Sequence, residues 1–259
     1  MMENNLGERA QASLKALSSN SYPGRGIIIG ASDNGDSLIQ AYWIMGRSPN
    51  SRNRVFVQEQ GRLMTRPLDP AKMENPELVI YTAMDTAADT AADTASSRAG
   101  GAPAKPWHVL SNGDHTDTIT EALNAGHCYP RALRTRNHEP DGPHFTPRIA
   151  GAIHAATGQS WLGILKADPD DSSRSLRQFF EFEALPAGFG WGITTYQGDG
   201  NPLPSYSGEP RLYPLGGTPD EILNLLWDHL DSDNRISLAL KVIQRGSGAS
   251  DILIRNKYA

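Results

Sequence analysis

Two apolar runs, GIIIGAS (26–32) and SLIQAYWIM (37–45), are separated only by Asp33-Asn34-Gly35-Asp36. Asn-Gly between apolar segments is a strong hairpin signal, because both residues accept the positive φ that the tightest turns require. The stretch therefore predicts two antiparallel neighbours, with Asn34 and Gly35 both left-handed. The same grammar recurs. RVFVQEQ (54–60) and RLMTRPL (62–68) turn at Gly61, and SLALKVIQ (237–244) and DILIRN (251–256) turn around Gly246-Ser247-Gly248. ELVIYTAM (77–84), WHVL (107–110), RIAGAIHAAT (148–157), SWLGILKA (160–167), LRQFFEFEAL (176–185) and GFGWGITTY (188–196) read as further strands. Strand follows strand with few helices between, which excludes a Rossmann-type alternation. The expected class is α+β, with two mostly antiparallel sheets flanked by helices.

Three helices are predicted. Leu6, Ala10, Leu14 and Leu17 share one face over residues 5–17. Thr118 and Glu121 form a capping box opening a second helix, with Gly126 just past its end. Thr218-Pro219-Asp220-Glu221 opens a third, whose apolar stripe is Ile222, Leu223, Leu226, Trp227 and Leu230. Residues 127–147 read as a long loop. The tandem DTAADTAADT run leads into small and turn-forming residues, a composition too poor in apolar surface to offset its ordering entropy. It reads as a disordered insertion over 85–105 within one domain, 22–259, preceded by an extension over 1–21.

The net charge of −5 argues against a general nucleic-acid binder. The single cysteine, Cys128, permits no internal disulfide and makes a thiolate zinc site improbable. The seven histidines are scattered without metal spacing. Gly-rich phosphate loops and a nucleophile elbow are absent from the sequence. No apolar run approaches the length of a membrane span, and MMENNLGERAQASLKAL lacks the apolar centre of a signal peptide. A cytoplasmic, soluble protein without metal or redox cofactor is expected.

What remains are four polar clusters at element ends: YPGRG (22–26), GRSPNSRNR (46–54), SNGDHTD (111–117) and EPDGPHFTPR (139–148). Arg47, Arg52 and Arg54 fall within eight positions, interleaved with short polar side chains. Guanidinium forks of this kind suit a planar, anionic ligand. The clusters converge on a pocket for a polar small molecule, containing arginines, a tyrosine and a carboxylate.

YPGR (Tyr22–Arg25), AYWIMGRS (Ala41–Ser48), SRNR (Ser51–Arg54), NPELVIY (Asn75–Tyr81), SNGDHTD (Ser111–Asp117) and FTPRIAGAI (Phe145–Ile153) together resemble the archaeal-type IMP cyclohydrolase family. The likeness is close to residue 153 and looser beyond. It implies a four-layer αββα sandwich like that of the N-terminal-nucleophile hydrolases. The implied reaction closes 5-formamidoimidazole-4-carboxamide ribotide to IMP with loss of water. On this likeness Arg54, Tyr81 and Glu139 are the catalytic residues: Arg54 for charge, Tyr81 for the formyl oxygen and Glu139 for proton transfer. Asp141, two residues on, competes with Glu139 for that role. Tyr22, Arg25, Arg47, Asn53, Asn112, Gly113, His115, Thr116, Asp117, Asp141, Thr146 and Arg148 are expected to bind substrate, with Arg25 or Arg148 toward phosphate. The implied partner is a purine-precursor nucleotide, with neither nucleic acid nor membrane involved. Homo-oligomerisation stays open. So do a paralogue acting on a related imidazole or purine nucleotide, a non-catalytic nucleotide sensor, and an amide hydrolase using Cys128.

Overall fold

The computed structural model describes residues 2–73, 76–88 and 106–258. Two antiparallel sheets carry the chain. In the first, six strands lie in the order β11 (Arg211–Pro214), β10 (Phe189–Thr194), β1 (Gly26–Ala31), β2 (Ser37–Met45), β12 (Arg235–Gln244) and β13 (Ser250–Asn256). The second is a seven-stranded meander in chain order: β3 (Val55–Glu59), β4 (Arg62–Arg66), β5 (Tyr81–Ala87), β6 (Trp107–Ser111), β7 (Arg148–His154), β8 (Ser160–Ala167) and β9 (Ser175–Phe182). The helices are α1 (Met2–Ser18), α2 (Pro49–Arg52), α3 (Pro76–Val79), α4 (His115–Asn124), α5 (Tyr129–Leu133) and α6 (Pro219–His229). Among the described residues, no helix is long and apolar enough to cross a membrane.

Alternation along each strand decides what faces what. Ile27 and Ile29 of β1 join Phe56, Leu110, Ile149 and Leu162 of the other sheet in one buried cluster. Ile28, between them, turns the opposite way, onto Leu14 and Leu17 of α1 and Ile222 and Leu226 of α6. On the second sheet, Val109, Ala150 and Leu165 meet Ile119 and Leu123 of α4 and Tyr129 and Leu133 of α5. Each fully buried isoleucine or leucine contributes about 1.5–3 kcal/mol. A one-residue slip would send a whole set to the wrong face, so this pattern fixes the register.

Local chemistry accounts for several departures from expectation. At 33–36 only Gly35 has positive φ, at 71°. Asn34 instead accepts hydrogen bonds through Oδ1 from the Ser32 hydroxyl and the Asp36 N–H, bridging the turn with its side chain. The two-residue turn with both residues left-handed is Gln60-Gly61, between the paired Glu59 and Arg62. The second predicted helix begins at His115, three residues before Thr118. Its N-cap Asp114 makes no side-chain cap bond, because Arg136 and Arg148 hold that carboxylate instead. Tertiary ion pairing overrides the local box. The predicted loop 127–147 contains α5, with Pro130 in its first turn. ELVI is not strand: α3 takes Pro76–Val79, and the strand starts at Tyr81. There Thr65 Oγ1 lies 2.6 Å from the Val79 carbonyl and 3.2 Å from that of Tyr81. Residues 85–87 of the expected insertion complete β5, and 89–105 lie outside the described residues. The third helix follows its signature, with Thr218 accepting from the Glu221 N–H and Pro219 in the first turn.

Polar side chains also cross between the sheets. Gln40 donates to the His108 carbonyl at 2.9 Å, and Lys241 donates to Thr86 Oγ1 at 3.1 Å. Lys241 is fully buried, which pulls its pKa down to about 8 against some support from Asp85. The folded protein therefore loses this proton near pH 8, whereas the unfolded chain keeps it to about 10.4. Between those values the unfolded state binds more protons, so rising pH stabilises the fold by roughly 1 kcal/mol per pH unit. Urea unfolding from pH 8 to 10 is expected to show this rise in the native sequence and not in Lys241→Met. Equal slopes would exclude the account.

Candidate active site

At the end of the sheets where β1, β3 and β5 begin, a hollow of about 260 Å³ opens. That volume suits one substituted heterocycle rather than a peptide. Tyr22, Arg25, Arg47, Arg54, Asp141 and Thr146 line it, together with Ser48, Asn50, His144, Thr195 and Tyr196. Arg25 follows the Tyr22-Pro23-Gly24 turn into β1. Gly24 has φ of 73°, and a Cβ there would lie 2.2 Å from Thr195 Oγ1, so only glycine fits. Arg54 immediately precedes β3. The loop before it is shaped by α2, whose Ser48 and Ser51 cap each other reciprocally.

Arg25 reaches Glu139 at 3.4 Å, and both are largely buried. Burial drives the Glu139 carboxyl above its ordinary range, against the opposing charges of Arg25, Arg148 and Arg54. Burial also opposes the Arg25 charge, but Glu139 and the nearby phenols outweigh it and keep the guanidinium firmly protonated. Arg54 is different. It is 6% exposed, makes no salt bridge among the described residues, and its Nε has no hydrogen-bond partner. Burial and the neighbouring Arg25 lower its pKa. Below the arginines, the hydroxyls of Tyr42 and Tyr81 meet at 2.7 Å, one from each sheet. Burial, followed by Tyr81, raises the Tyr42 pKa well above the usual phenol value. Arg25 and Arg54 line the hollow, whereas Glu139 and Tyr81 are not among its lining residues: Glu139 reaches it through Arg25, and Tyr81, bonded to Tyr42, acts on the charges of both arginines. A guanidinium beside a buried acid of raised proton affinity suits proton transfer near a developing negative charge.

The other expected binding residues have different employment. Asn53 clamps Asp69, donating to its carbonyl at 2.9 Å and accepting from its N–H at 2.7 Å, and it lines a separate hollow. Asn112 ties Pro147 to Ile149 in the same two-sided way. His115 Nε2 lies 3.0 Å from the Ile149 carbonyl, and burial followed by Arg148 drops its pKa to about 3. Thr116 bonds Ser111 at 2.6 Å, and Asp117 pairs with Thr82. Gly113 leaves room for Arg148, whose Nη1 would lie 2.8 Å from a Cβ there. Arg148 itself holds Asp114 at 2.6 Å while its charge acts on Glu139. Arg52 folds back onto the Gly46 carbonyl. The SNGDHTD cluster is therefore a brace behind the site. Sequence reasoning missed Tyr42, Thr195 and Tyr196. Tyr42 sits within apolar β2, and Thr195 and Tyr196 directly follow β10; only their pairing with Tyr81 and Arg25 marks them.

Hollows of about 520 and 410 Å³ lie elsewhere. Neither is lined by a buried arginine or carboxylate. Exposed Cys128 lies in the second, among Trp107, Tyr129, His154 and Trp161, away from the arginines. Among the described residues, no group of three or more His, Cys, Asp or Glu side chains could hold a metal ion.

Residues 22–247 match the family described as IMP cyclohydrolase-like protein. The chain is 30% identical over 151 residues to the IMP cyclohydrolase of two Halobacterium salinarum strains, covering 57% of this chain and 64% of theirs. It is 29% identical over 151 residues to the IMP cyclohydrolase of Haloquadratum walsbyi, covering 57% and 63%. The chain thus spans somewhat less than two thirds of the length of these curated relatives.

Proposed function

The chain belongs to the IMP cyclohydrolase-like protein family, and from that premise we propose that it closes the purine ring of 5-formamidoimidazole-4-carboxamide ribotide, giving IMP and water. The observation that carries this reading is the buried Glu139, its proton affinity raised, paired with Arg25, which lines the hollow together with Arg54. The carboxamide nitrogen attacks the formyl carbon, forming the C–N bond as the C=O opens to a protonated carbinolamine; its C–O bond then breaks, and loss of the formamide N–H proton forms the ring C=N bond and releases water. Glu139 takes the amide proton as the bond forms and returns a proton to the departing oxygen. Tyr81 donates to the formyl oxygen, accepting in turn from Tyr42. Arg54 stabilises the charge gathering there, and its own burial makes that charge count for more. Arg25 holds Glu139 in place, and Arg47, which lines the hollow, faces the phosphate. The three apolar clusters support a four-layer αββα sandwich over 22–259, one domain with 1–21 as its extension.

The test is an ultraviolet assay of the purified protein with the formylated ribotide. IMP is expected to accumulate, at a rate that chelator leaves unchanged. A folded sample that yields no product would overturn the proposal.

A further inference from the structure

Three side chains on one wall of the hollow are wired in a fixed direction. Asp141 accepts twice from Thr146, from its N–H at 2.6 Å and from its hydroxyl. An ionised carboxylate has no proton to give, so the Thr146 hydroxyl must donate to Asp141. Thr146 Oγ1 also lies 2.7 Å from the Tyr196 hydroxyl. With the threonine proton already committed, the tyrosine must donate in that bond. Its single proton is then used, and Tyr196 offers only lone pairs to anything else.

Tyr196 is also held still. Its ring stacks on Tyr22 at 6.1 Å with 20° between planes, and its N–H donates to the Pro23 carbonyl at 3.1 Å. The preceding Thr195 N–H donates to the Arg25 carbonyl at 2.8 Å. Arg25, Arg47 and Arg54 also line the hollow, and their guanidiniums only donate. The hollow thus carries both groups that only donate and groups that only accept.

We propose that Tyr196 and Asp141 form an acceptor-only wall that selects an N–H-bearing carboxamide over a carboxylate at that edge of the ligand. This rests on the imidazole-nucleotide reading above and adds the group that chooses between substrates of the same shape. Thr146 is the positioning residue, since it sets which way the Tyr196 proton points. A carboxamide can give one N–H to this wall and keep the other for Glu139. A carboxylate brings lone pairs against lone pairs, and an unmatched polar contact costs more than a missing one.

The experiment measures binding without turnover, by calorimetry at pH 7.5. The probes are 5-aminoimidazole-4-carboxamide ribotide and its 4-carboxylate counterpart, neither of which has a formyl group to react. The unaltered protein is expected to prefer the carboxamide. Tyr196→Phe keeps the ring and its stacking, removes the acceptor, and should reduce that preference roughly five- to tenfold. Thr146→Val frees the Tyr196 proton to donate, so it should improve carboxylate binding relative to carboxamide. A merely structural role would weaken both ligands alike. An unchanged preference in both variants would overturn the proposal while leaving the nucleotide reading intact. If neither probe binds the unaltered protein, both readings fall. Should Tyr196→Phe not fold, Thr146→Val decides the matter alone.

Discussion

Glu139→Gln is expected to lower the rate constant for IMP formation roughly 10²–10⁴-fold, with nucleotide affinity largely retained. Glutamine has nearly the same shape, and its amide oxygen still accepts from Arg25, whose Nη1 lies 3.4 Å from the carboxylate. What it cannot do is take up a proton and return it. The effect should therefore fall on kcat rather than on KM. The carboxyl is also the group whose affinity for a proton burial raises, so the native rate should decline as pH drops through its elevated pKa. That limb should vanish in the variant. A less than about tenfold loss would transfer the role to Asp141, which lines the hollow. The corresponding change there, Asp141→Asn, would then carry the large effect.

Arg54→Met should move activity and stability in opposite directions. Removing a buried donor from a developing oxyanion typically costs roughly 10²–10³-fold in rate, and kcat/KM is expected to fall at least that far. Yet Arg54 is a buried cation with no salt bridge among the described residues and a neighbour, Arg25, of like charge. Burying such a charge without a partner opposes folding, and a methionine of similar length packs where it stood. The melting temperature should rise by a few degrees, about what 1 kcal/mol gives in a chain this size. Arg54 would then be a residue kept for the ligand at the expense of the fold. Unimpaired turnover would sink the catalytic assignment. A large drop in melting temperature would make Arg54 structural.

Much of the architecture is readable from the residues, because burial in strands follows a period of two. Ile27, Ile28 and Ile29 look alike in sequence, yet position alone sends the middle one to the helices and the others between the sheets. The arginine loop is likewise legible, since short polar residues between two apolar runs stay near the surface at a strand end. Direction is what sequence does not carry. Asn112, His115 and Thr116 have the composition of a ligand cluster, but their polar atoms satisfy the backbone and each other. Asn53 and Arg54 are adjacent and both buried, and only one lines the hollow. The second helix began early for a related reason: Asp114 is claimed by two arginines distant in the chain, and no local rule contains them. Tyr196 stands 170 residues or more from Tyr22 and Arg25, beyond the reach of any short motif.

The meeting of the Tyr42 and Tyr81 hydroxyls at 2.7 Å ties chemistry to assembly, because each strand belongs to a different sheet. Neither half of the molecule owns a finished reaction centre. A lateral displacement by the width of one residue, harmless to hydrogen bonding within either sheet, would part the two phenols and move Arg25 away from Arg54. Turnover in this protein is thus a gauge of alignment, sensitive to shear that spectroscopic measures of strand content would never register.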